Sequence, residues 1–275
     1  MIFLKSILLA FSTFSIIPVP RVDWNEKNMR YMMAAFPLVG AVIAILWAAW
    51  FVLGIQIFDF WRKPVSIHLI ALGFTLIPVF VTGGIHIDGF MDTCDALSSH
   101  ASREKKLEIL KDSHVGAFAV LGCVIYFLSY FVFSYELCNY FFGAASSRRF
   151  VNFFVQTMNF LPVTSVFVLS RLLSAFAVAT FPIAKNSGLV HTFAGASARR
   201  FTAIFCGICF ILASTILIFL WNFLGIMLIS SSLAFFCFYF VIAIRNFGGI
   251  TGDTAGWFVQ ICEITGLLVF VISNC

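Results

Sequence analysis

Three aspartates are spaced so that their carboxylates could act together in one site. Asp88, Asp92 and Asp95 stand at positions i, i+4 and i+7, which a helix brings within about 60° of one another around its axis. Carboxylates this close repel unless a cation lies between them, and Mg²⁺ held by a few carboxylates and substrate phosphates is usual in phosphoryl transfer. The spacing predicts a magnesium site with these three as catalytic and metal-binding residues. The alternative is that they are solvated charges, with Asp95 capping the next helix.

The residues just before these aspartates extend the candidate site. Gly83 and Gly84 are candidate substrate-binding positions, and His86 follows them. Either one of the carboxylates or His86 is expected to accept a proton from an attacking hydroxyl, and the sequence does not choose between them. A hydrogen-bonded structural role for His86 is equally consistent with the sequence.

A second polar cluster stands immediately before an apolar run. Lys111, Asp112 and Ser113 are candidate substrate-binding residues, and the simpler alternative is that Asp112 or Ser113 is a helix N-cap. The charged stretch at residues 103–108 has the pattern of a solvated helix face, so no site is predicted there.

A glycine-rich stretch near the C-terminus supplies the third cluster. Gly248, Gly249, Thr251 and Gly252 are candidate substrate-binding positions, because backbone N–H groups in such a turn approach a phosphate at a helix N-terminus. Asp253 is a further metal ligand in this interpretation and an N-cap in the alternative one.

Two basic residues complete the candidate substrate-binding set. Lys185 stands in a short polar loop, where it either clamps an anion or enforces membrane topology. Arg171 lies inside an apolar run, where a guanidinium is costly unless it pairs or faces a polar cavity.

The elements that position these residues must be membrane helices. Of the 275 residues 61% are hydrophobic and 11% charged, against about 25% charged in soluble domains. The apolar runs are unbroken rather than alternating, which favours helices over a barrel. We predict an all-α, polytopic transmembrane helical bundle in a lipid bilayer, with a single domain over residues 1–275. The net charge of +5 is scattered through short loops, so no nucleic-acid partner is expected.

Seven apolar runs are long enough to cross a bilayer. They cover residues 34–61, 64–85, 115–135, 150–182, 201–221, 224–244 and 255–273. Residues 2–17 are too few to span and are expected to form an interfacial or re-entrant segment.

The charge distribution predicts how the bundle is oriented. Alternate loops place twelve lysine and arginine residues on one face and four on the other. The richer face is cytoplasmic by the positive-inside rule, and all three polar clusters fall on it. We therefore expect a site that faces the cytoplasm from the bacterial inner membrane, and a C-terminus on the opposite face.

Other membrane proteins share part of this pattern. An ion-coupled secondary transporter also places carboxylates in a helical bundle, but near mid-membrane, whereas the clusters here stand at span ends. A CDP-alcohol phosphatidyltransferase or an intramembrane prenyltransferase uses spaced aspartates and Mg²⁺. The Asp-Gly-x-x-Ala-Arg run of the former and the adjacent Asp-Asp pair of the latter do not occur in this sequence.

The three clusters resemble the signature regions of a known family. GGIHIDGFMDTCDAL, KDSHVGAF and GGITGDTAGW, which begin at residues 83, 111 and 248, are similar to those of cobalamin synthase, the adenosylcobinamide-GDP ribazoletransferase of bacterial corrinoid biosynthesis. The resemblance extends to residues 14–20, 36–43, 170–171 and 182–188. The sequence departs from the family at Cys94 and Ala96, where Ala and Gly are more usual, and at His114, where Arg is common.

The resemblance implies a reaction and a cofactor. The adenosylcobinamide phosphoryl group of adenosylcobinamide-GDP would pass to α-ribazole or its 5′-phosphate, with release of GMP and with Mg²⁺ as cofactor. Asp88, Asp92, Asp95 and Asp253 would hold the metal, and the glycine-rich loop would cradle phosphate oxygens. A homo-oligomer or a complex with other corrinoid-pathway enzymes is compatible with this assignment.

Overall fold

The computed structural model describes residues 2–61, 66–142, 153–184, 189–196 and 198–274. Within these ranges the regular structure is helical, apart from one isolated β-bridge between Ile183 and Ile250. The helices are α1 (Ile2–Phe14), α2 (Glu26–Met29), α3 (Met32–Trp61), α4 (Ile67–Thr82), α5 (Ile85–Ser98), α6 (Arg103–Ile109), α7 (Ala117–Phe142), α8 (Phe153–Thr180), α9 (Leu189–Ala196), α10 (Arg199–Ile242) and α11 (Gly252–Asn274), with a π-helical turn at Ala243–Phe247.

Five helices of the described chain are long and apolar enough to cross a membrane, namely α3, α7, α8, α10 and α11. Helices α4 and α5 add a sixth crossing if this pair, bent by 94°, counts as one span. The predicted all-α polytopic membrane bundle is confirmed. Helix α1, with 13 residues, is about 20 Å long and too short to span, as predicted.

Helix α10 holds the predicted runs 201–221 and 224–244 in one continuous element. A straight helix of 44 residues would be about 66 Å long, roughly twice the thickness of the hydrocarbon core. The backbone breaks at Asn222, with φ 41° and ψ −110°. A Cβ atom at Gly225 would lie 2.6 Å from the carbonyl carbon of Leu217, although eight helical residues normally span about 12 Å. The chain therefore folds back at this break.

Both ends of α10 lie beside the C-terminal end of α8. At its start, Arg199 Nε donates to the Ala179 carbonyl at 3.2 Å. Beyond its end, the Ala184 N–H donates to the Ile250 carbonyl at 3.0 Å. The two arms of α10 thus leave one face of the bundle and return to it, which makes two crossings.

Two predicted boundaries differ from the structure for local reasons. The second run was predicted to reach residue 85, but α4 ends at Thr82 because Gly83 and Gly84 adopt left-handed backbone conformations. The third was predicted to end at residue 135, but α7 continues to Phe142. Polar residues interrupt the apolar run there. Leu137 and Cys138 in the same helical turns are nevertheless buried, so the helix continues past residue 135.

Aromatic packing fixes the helices that carry the site. Trp47 of α3 is fully buried, and its ring centroid lies 4.6 Å from that of Phe74 and 4.9 Å from that of Phe167. Helix α3 approaches α8 closely at Gly40, where a Cβ atom would lie 2.7 Å from the carbonyl carbon of Phe167. Any larger side chain at that position would force α3 and α8 apart.

Candidate functional site

A two-glycine corner sets the direction of the acidic helix. Gly83 (φ 63°) and Gly84 (φ 80°) adopt a conformation that only glycine takes at low cost, and the Gly84 N–H closes α4 by donating to the Val79 carbonyl at 3.1 Å. The Ile16 N–H donates to the Val81 carbonyl at 2.9 Å, which ties the segment after α1 to this corner. Because the bend is 94°, α5 runs along the face of the bundle when α4 crosses the membrane.

The three predicted aspartates lie on α5 outside the spanning helices. Asp88 is exposed, and Asp92 and Asp95 are half-buried. The Asp95 carboxylate lies against Gly116, just before the first residue of α7. The N-cap of α6 is Ser102, whose hydroxyl accepts the Lys105 N–H, so the alternative of Asp95 as the cap of the next helix is wrong.

Helix α11 brings the fourth aspartate to this cluster. A Cβ atom at Gly89 would lie 2.8 Å from the Cα of Asp253, and one at Gly256 would lie 3.2 Å from the His86 carbonyl oxygen. Small residues let helix backbones approach closely, and Gly89 and Gly256 are such residues at this contact. The structure therefore places the first turn of α11 directly against the acidic face of α5.

The four carboxylates interact electrostatically. Partial burial, followed by the charges of Asp88, Asp253 and Asp95, raises the pKa of Asp92 to about 6. Like charges held together in this way favour a cation between them. Within the described ranges, no group of three or more His, Cys, Asp or Glu side chains is placed so that it could hold a metal ion. The oxygen donors suit Mg²⁺, which keeps waters and substrate phosphates as ligands, and do not form a closed protein cage.

Capping at the start of α11 is performed by a threonine. The Thr254 N–H donates to Thr251 Oγ1 at 3.1 Å, and the Thr251 N–H donates to Thr254 Oγ1 at 2.9 Å. This reciprocal pair has the connectivity of a capping box. The alternative of Asp253 as the N-cap is therefore wrong, and Thr251, predicted to bind substrate, is buried and used in the cap.

Helix α6 contacts the glycine-rich loop, which corrects the expectation of a solvated face. The guanidinium of Arg103 lies against Gly248, where a Cβ atom would overlap it. Lys106 is buried, and its Nζ donates to Asn246 Oδ1 at 2.7 Å. Arg103 and Lys106 stand at i and i+3, a spacing that puts both on one helix face. This spacing was the feature of the sequence that pointed to a shared contact surface.

The glycine-rich loop also pairs with the segment after α8. The Ile250 N–H donates to the Pro182 carbonyl at 2.8 Å. At Gly249 a Cβ atom would lie 2.6 Å from the nitrogen of Ala184, so this approach requires glycine. Lys185 follows directly but lies outside the described residues, and its substrate-binding role stays a prediction.

The second predicted cluster lies in an exposed loop. Lys111, Asp112 and Ser113 are all exposed. Asp112 Oδ1 accepts the backbone N–H of His114 at 3.0 Å and contacts its Nδ1 at 2.6 Å. Helix α7 begins only at Ala117, so neither Asp112 nor Ser113 is its N-cap. The substrate-binding role of this cluster stays a prediction.

Arg171 is paired inside the bundle. Its Nη1 donates to Glu263 Oε1 at 2.6 Å and to the Phe167 carbonyl at 2.9 Å, and both charged side chains are fully buried. This ion pair joins α8 to α11. The pairing offsets part of the cost of a buried guanidinium, whose Nε and Nη2 have no partner among the described groups, and it links α11 to α8.

A cavity of about 310 Å³ opens beside the acidic cluster. Asp88 and Asp253 line it on the acidic side, and His86 forms part of its wall. Phe14 and Phe36 pack together next to the imidazole, with ring centroids 6.4 and 5.7 Å from it. The site thus combines a cluster of carboxylates, a glycine-rich loop that contacts Arg103, and a largely apolar cavity.

Comparisons with known proteins identify the family of this chain. The profile of the cobalamin-5-phosphate synthase family matches residues 6–271. An adenosylcobinamide-GDP ribazoletransferase of Lachnoclostridium phytofermentans is 38% identical, over 98% of this chain and 95% of its own length. The proteins of that name from Clostridium perfringens strain SM101 and Fusobacterium nucleatum are 31% and 29% identical, each over 98% of this chain and over 99% and 98% of their own lengths. No solved structure matches the chain significantly. The family match and these identities show that the chain belongs to the cobalamin-5-phosphate synthase family.

Proposed function

We propose that this chain transfers the adenosylcobinamide phosphoryl group from adenosylcobinamide-GDP to α-ribazole or α-ribazole 5′-phosphate, with release of GMP, in cobalamin biosynthesis. The observation that carries the proposal is the meeting of α5 and α11, which gathers four aspartates beside a glycine-rich loop in a chain whose relatives bear this activity in their names. The carboxylates stand on α5 and on the first turn of α11 rather than in mid-span. This position does not favour the transporter alternative.

The tasks of accepting a proton and binding phosphate fall to different residues of the described chain. A ribose hydroxyl oxygen forms a bond to the phosphorus that carries adenosylcobinamide, the bond from that phosphorus to the GMP oxygen breaks, and the electron pair leaves with GMP. Asp88, which is exposed and lines the cavity, accepts the hydroxyl proton. The backbone of the Gly248–Gly249 turn and the guanidinium of Arg103 bind phosphate oxygens, for which a guanidinium fork is well suited.

Asp88, Asp92, Asp95 and Asp253 would hold Mg²⁺. The ion, when bound, neutralises negative charge on the phosphates and on the leaving group. Carboxylate oxygens are the donor type that Mg²⁺ prefers, and the ion would reduce the repulsion that contributes to the raised pKa of Asp92.

The enzyme would work at the bacterial inner membrane with this site toward the cytoplasm. Support comes from the lysine and arginine excess on the loops that carry the site. The contacts of Arg103 and Ala184 with the glycine-rich loop join three of these loops on one face. Self-association or a complex with other corrinoid-pathway enzymes is compatible with this placement.

The test is GMP release by purified protein in lipid nanodiscs, supplied with adenosylcobinamide-GDP, α-ribazole and Mg²⁺. We expect release that depends on α-ribazole, stops with EDTA and returns with added Mg²⁺. Replacing Asp88, Asp92 or Asp95 singly by Asn should lower the rate by at least about tenfold, or about 1.4 kcal/mol of barrier. Asp23→Asn, at an exposed aspartate outside the cluster, is the matched control and should retain activity. Acceptor-independent release, or full activity in two of the three variants, would refute the proposal.

A further inference from the structure

The cavity beside the acidic cluster has features that phosphoryl transfer itself does not require. Phe14, Phe36 and Phe193, from α1, α3 and α9, form an aromatic wall in which the Phe14 centroid lies 4.4 Å from that of Phe36 and 5.9 Å from that of Phe193. Phosphate is charged and ribose carries several hydroxyl groups, so an aromatic wall matches them less well than it matches an apolar ring. An apolar, planar group is what these rings can bind.

A buried imidazole with one nitrogen unpaired among the described groups lies in the same wall. His86 is 5% exposed, and its Nε2 has no hydrogen-bond partner among the described groups. A buried polar atom left unsatisfied is costly, because it has lost its hydrogen bonds to water and gained none in return. A ligand atom that pairs with Nε2 would remove that cost, so the cavity is prepared for a largely apolar ligand with one polar ring atom.

We propose that this cavity binds the bicyclic aromatic base of the acceptor nucleoside, and that His86 Nε2–H donates a hydrogen bond to the free ring nitrogen of that base. This proposal rests on the proposed function. The base of α-ribazole, a dimethylbenzimidazole, has apolar faces, two methyl groups and one ring nitrogen with an available lone pair. Those features correspond to the aromatic wall and to the single imidazole donor.

The other parts of the substrates fit this cavity less well. Guanine presents several hydrogen-bonding groups along its edges, whereas most of the cavity wall is apolar. A corrin macrocycle is much too large for about 310 Å³. With the base against His86, the attached ribose extends toward Asp88 and Asp253, which line the same cavity. The proposed placement thus delivers a ribose hydroxyl to the carboxylates.

The first experiment changes the acceptor and leaves the protein intact. Wild-type enzyme is assayed with α-ribazole and with the dimethylindole riboside, in which a C–H group replaces the free ring nitrogen. We expect the KM to be about tenfold higher for the indole acceptor, as for one lost hydrogen bond to a buried group. The KM for adenosylcobinamide-GDP should not change.

Substitution of His86 completes the comparison. In His86→Leu the two acceptors should have the same KM, near the value that wild type shows for the indole. His86→Gln, which keeps a side-chain N–H, should recover part of the preference for α-ribazole. Equal KM values for the two acceptors in wild type would overturn the proposal without reference to any variant.

The aromatic wall is tested by one substitution within it and one control substitution outside it. Phe193→Ala should raise the KM for α-ribazole by about tenfold and leave that for adenosylcobinamide-GDP unchanged, since a large apolar contact with the base is lost. Phe219→Ala, at a side chain of α10 that is 80% exposed, should change neither KM. A higher KM for the GDP-linked donor alone would place the donor in the cavity and overturn the proposal.

Failure of this proposal is distinguishable from failure of the proposed function. Wild-type protein that releases no GMP with any acceptor would refute the function. Equilibrium dialysis with free α-ribazole would then still report on the cavity, and binding should weaken in His86→Leu and Phe193→Ala. Normal GMP release without acceptor discrimination would refute the cavity assignment alone.

Discussion

At the scale of single residues, a substitution of Asp253 tests whether its negative charge or helix capping is what the enzyme needs. Thr251 and Thr254 already cap α11 through their hydroxyls, so the carboxylate of Asp253 is not needed to start the helix. Asp253→Asn keeps the shape of the side chain and removes its charge. We expect unchanged thermal stability and turnover lowered by at least about tenfold, measured by scanning calorimetry and GMP release in nanodiscs.

Thr251→Ala provides the complementary measurement. It removes the N-cap hydroxyl and should lower the free energy of unfolding by about 1 kcal/mol, because the Thr254 N–H loses its acceptor. If Asp253→Asn proved as active as wild type, Asp253 would not belong to the charged cluster.

At the scale of helices, the site depends on the close approach of α5 and α11. Gly89→Ala places a methyl group 2.8 Å from the Cα of Asp253, a backbone atom that cannot move without shifting α11. We expect lower thermal stability together with a large loss of turnover, since Asp253 would move away from Asp88 and Asp92. Both are measured on the nanodisc-reconstituted protein.

Gly207→Ala is the matched control for that change. Its Cβ atom would meet only Phe176, at an ordinary 3.8 Å, and alanine is the better helix former. Activity should be retained and stability unchanged or slightly raised. Equal behaviour of the two alanine variants would show that the α5–α11 contact is not needed.

The sequence predicts what is local in these helices and fails where distant segments meet. The face shared by Asp88, Asp92 and Asp95 follows from helical spacing alone. The contact of Lys106 with Asn246 joins residues 140 positions apart, so helical spacing places Lys106 on one face with Arg103 but does not identify its partner. For the same reason residues 103–108 read as a solvated helix face, and Asp253 read equally well as a cap or as a ligand.

At the scale of the whole molecule, the buried Arg171–Glu263 pair tests whether Arg171 binds substrate or holds α8 against α11. Arg171→Met alone leaves Glu263 buried without its partner, and we expect a loss of stability of about 3–5 kcal/mol. The double variant Arg171→Met, Glu263→Leu removes both charges. If the pair is structural, the double variant should recover stability and turnover, measured by thermal unfolding and GMP release.

Recovery of stability without turnover in the double variant would support the predicted substrate-binding role of Arg171. The full burial of its side chain leads us to expect recovery of both. The sequence could not decide between these two roles of Arg171, because its partner lies 92 positions away and is brought to it only by helix packing.

The side of the membrane on which each loop and the C-terminus lie depends on the whole fold. The fold gives an odd number of crossings when α4 with α5 counts as one and the two arms of α10 count separately, so the C-terminus lies opposite the site. We expect single cysteines at Glu104 and Arg245, introduced into a cysteine-free background, to be protected from an impermeant maleimide in intact cells. A cysteine at Asn274 should be labelled. All three positions are exposed in the structure, so accessibility differs only by membrane side. Labelling at Arg245 with protection at Asn274 would mean that α10 crosses once, whereas labelling at Glu104 but not at Arg245 would separate α6 from the glycine-rich loop and dismantle the proposed site.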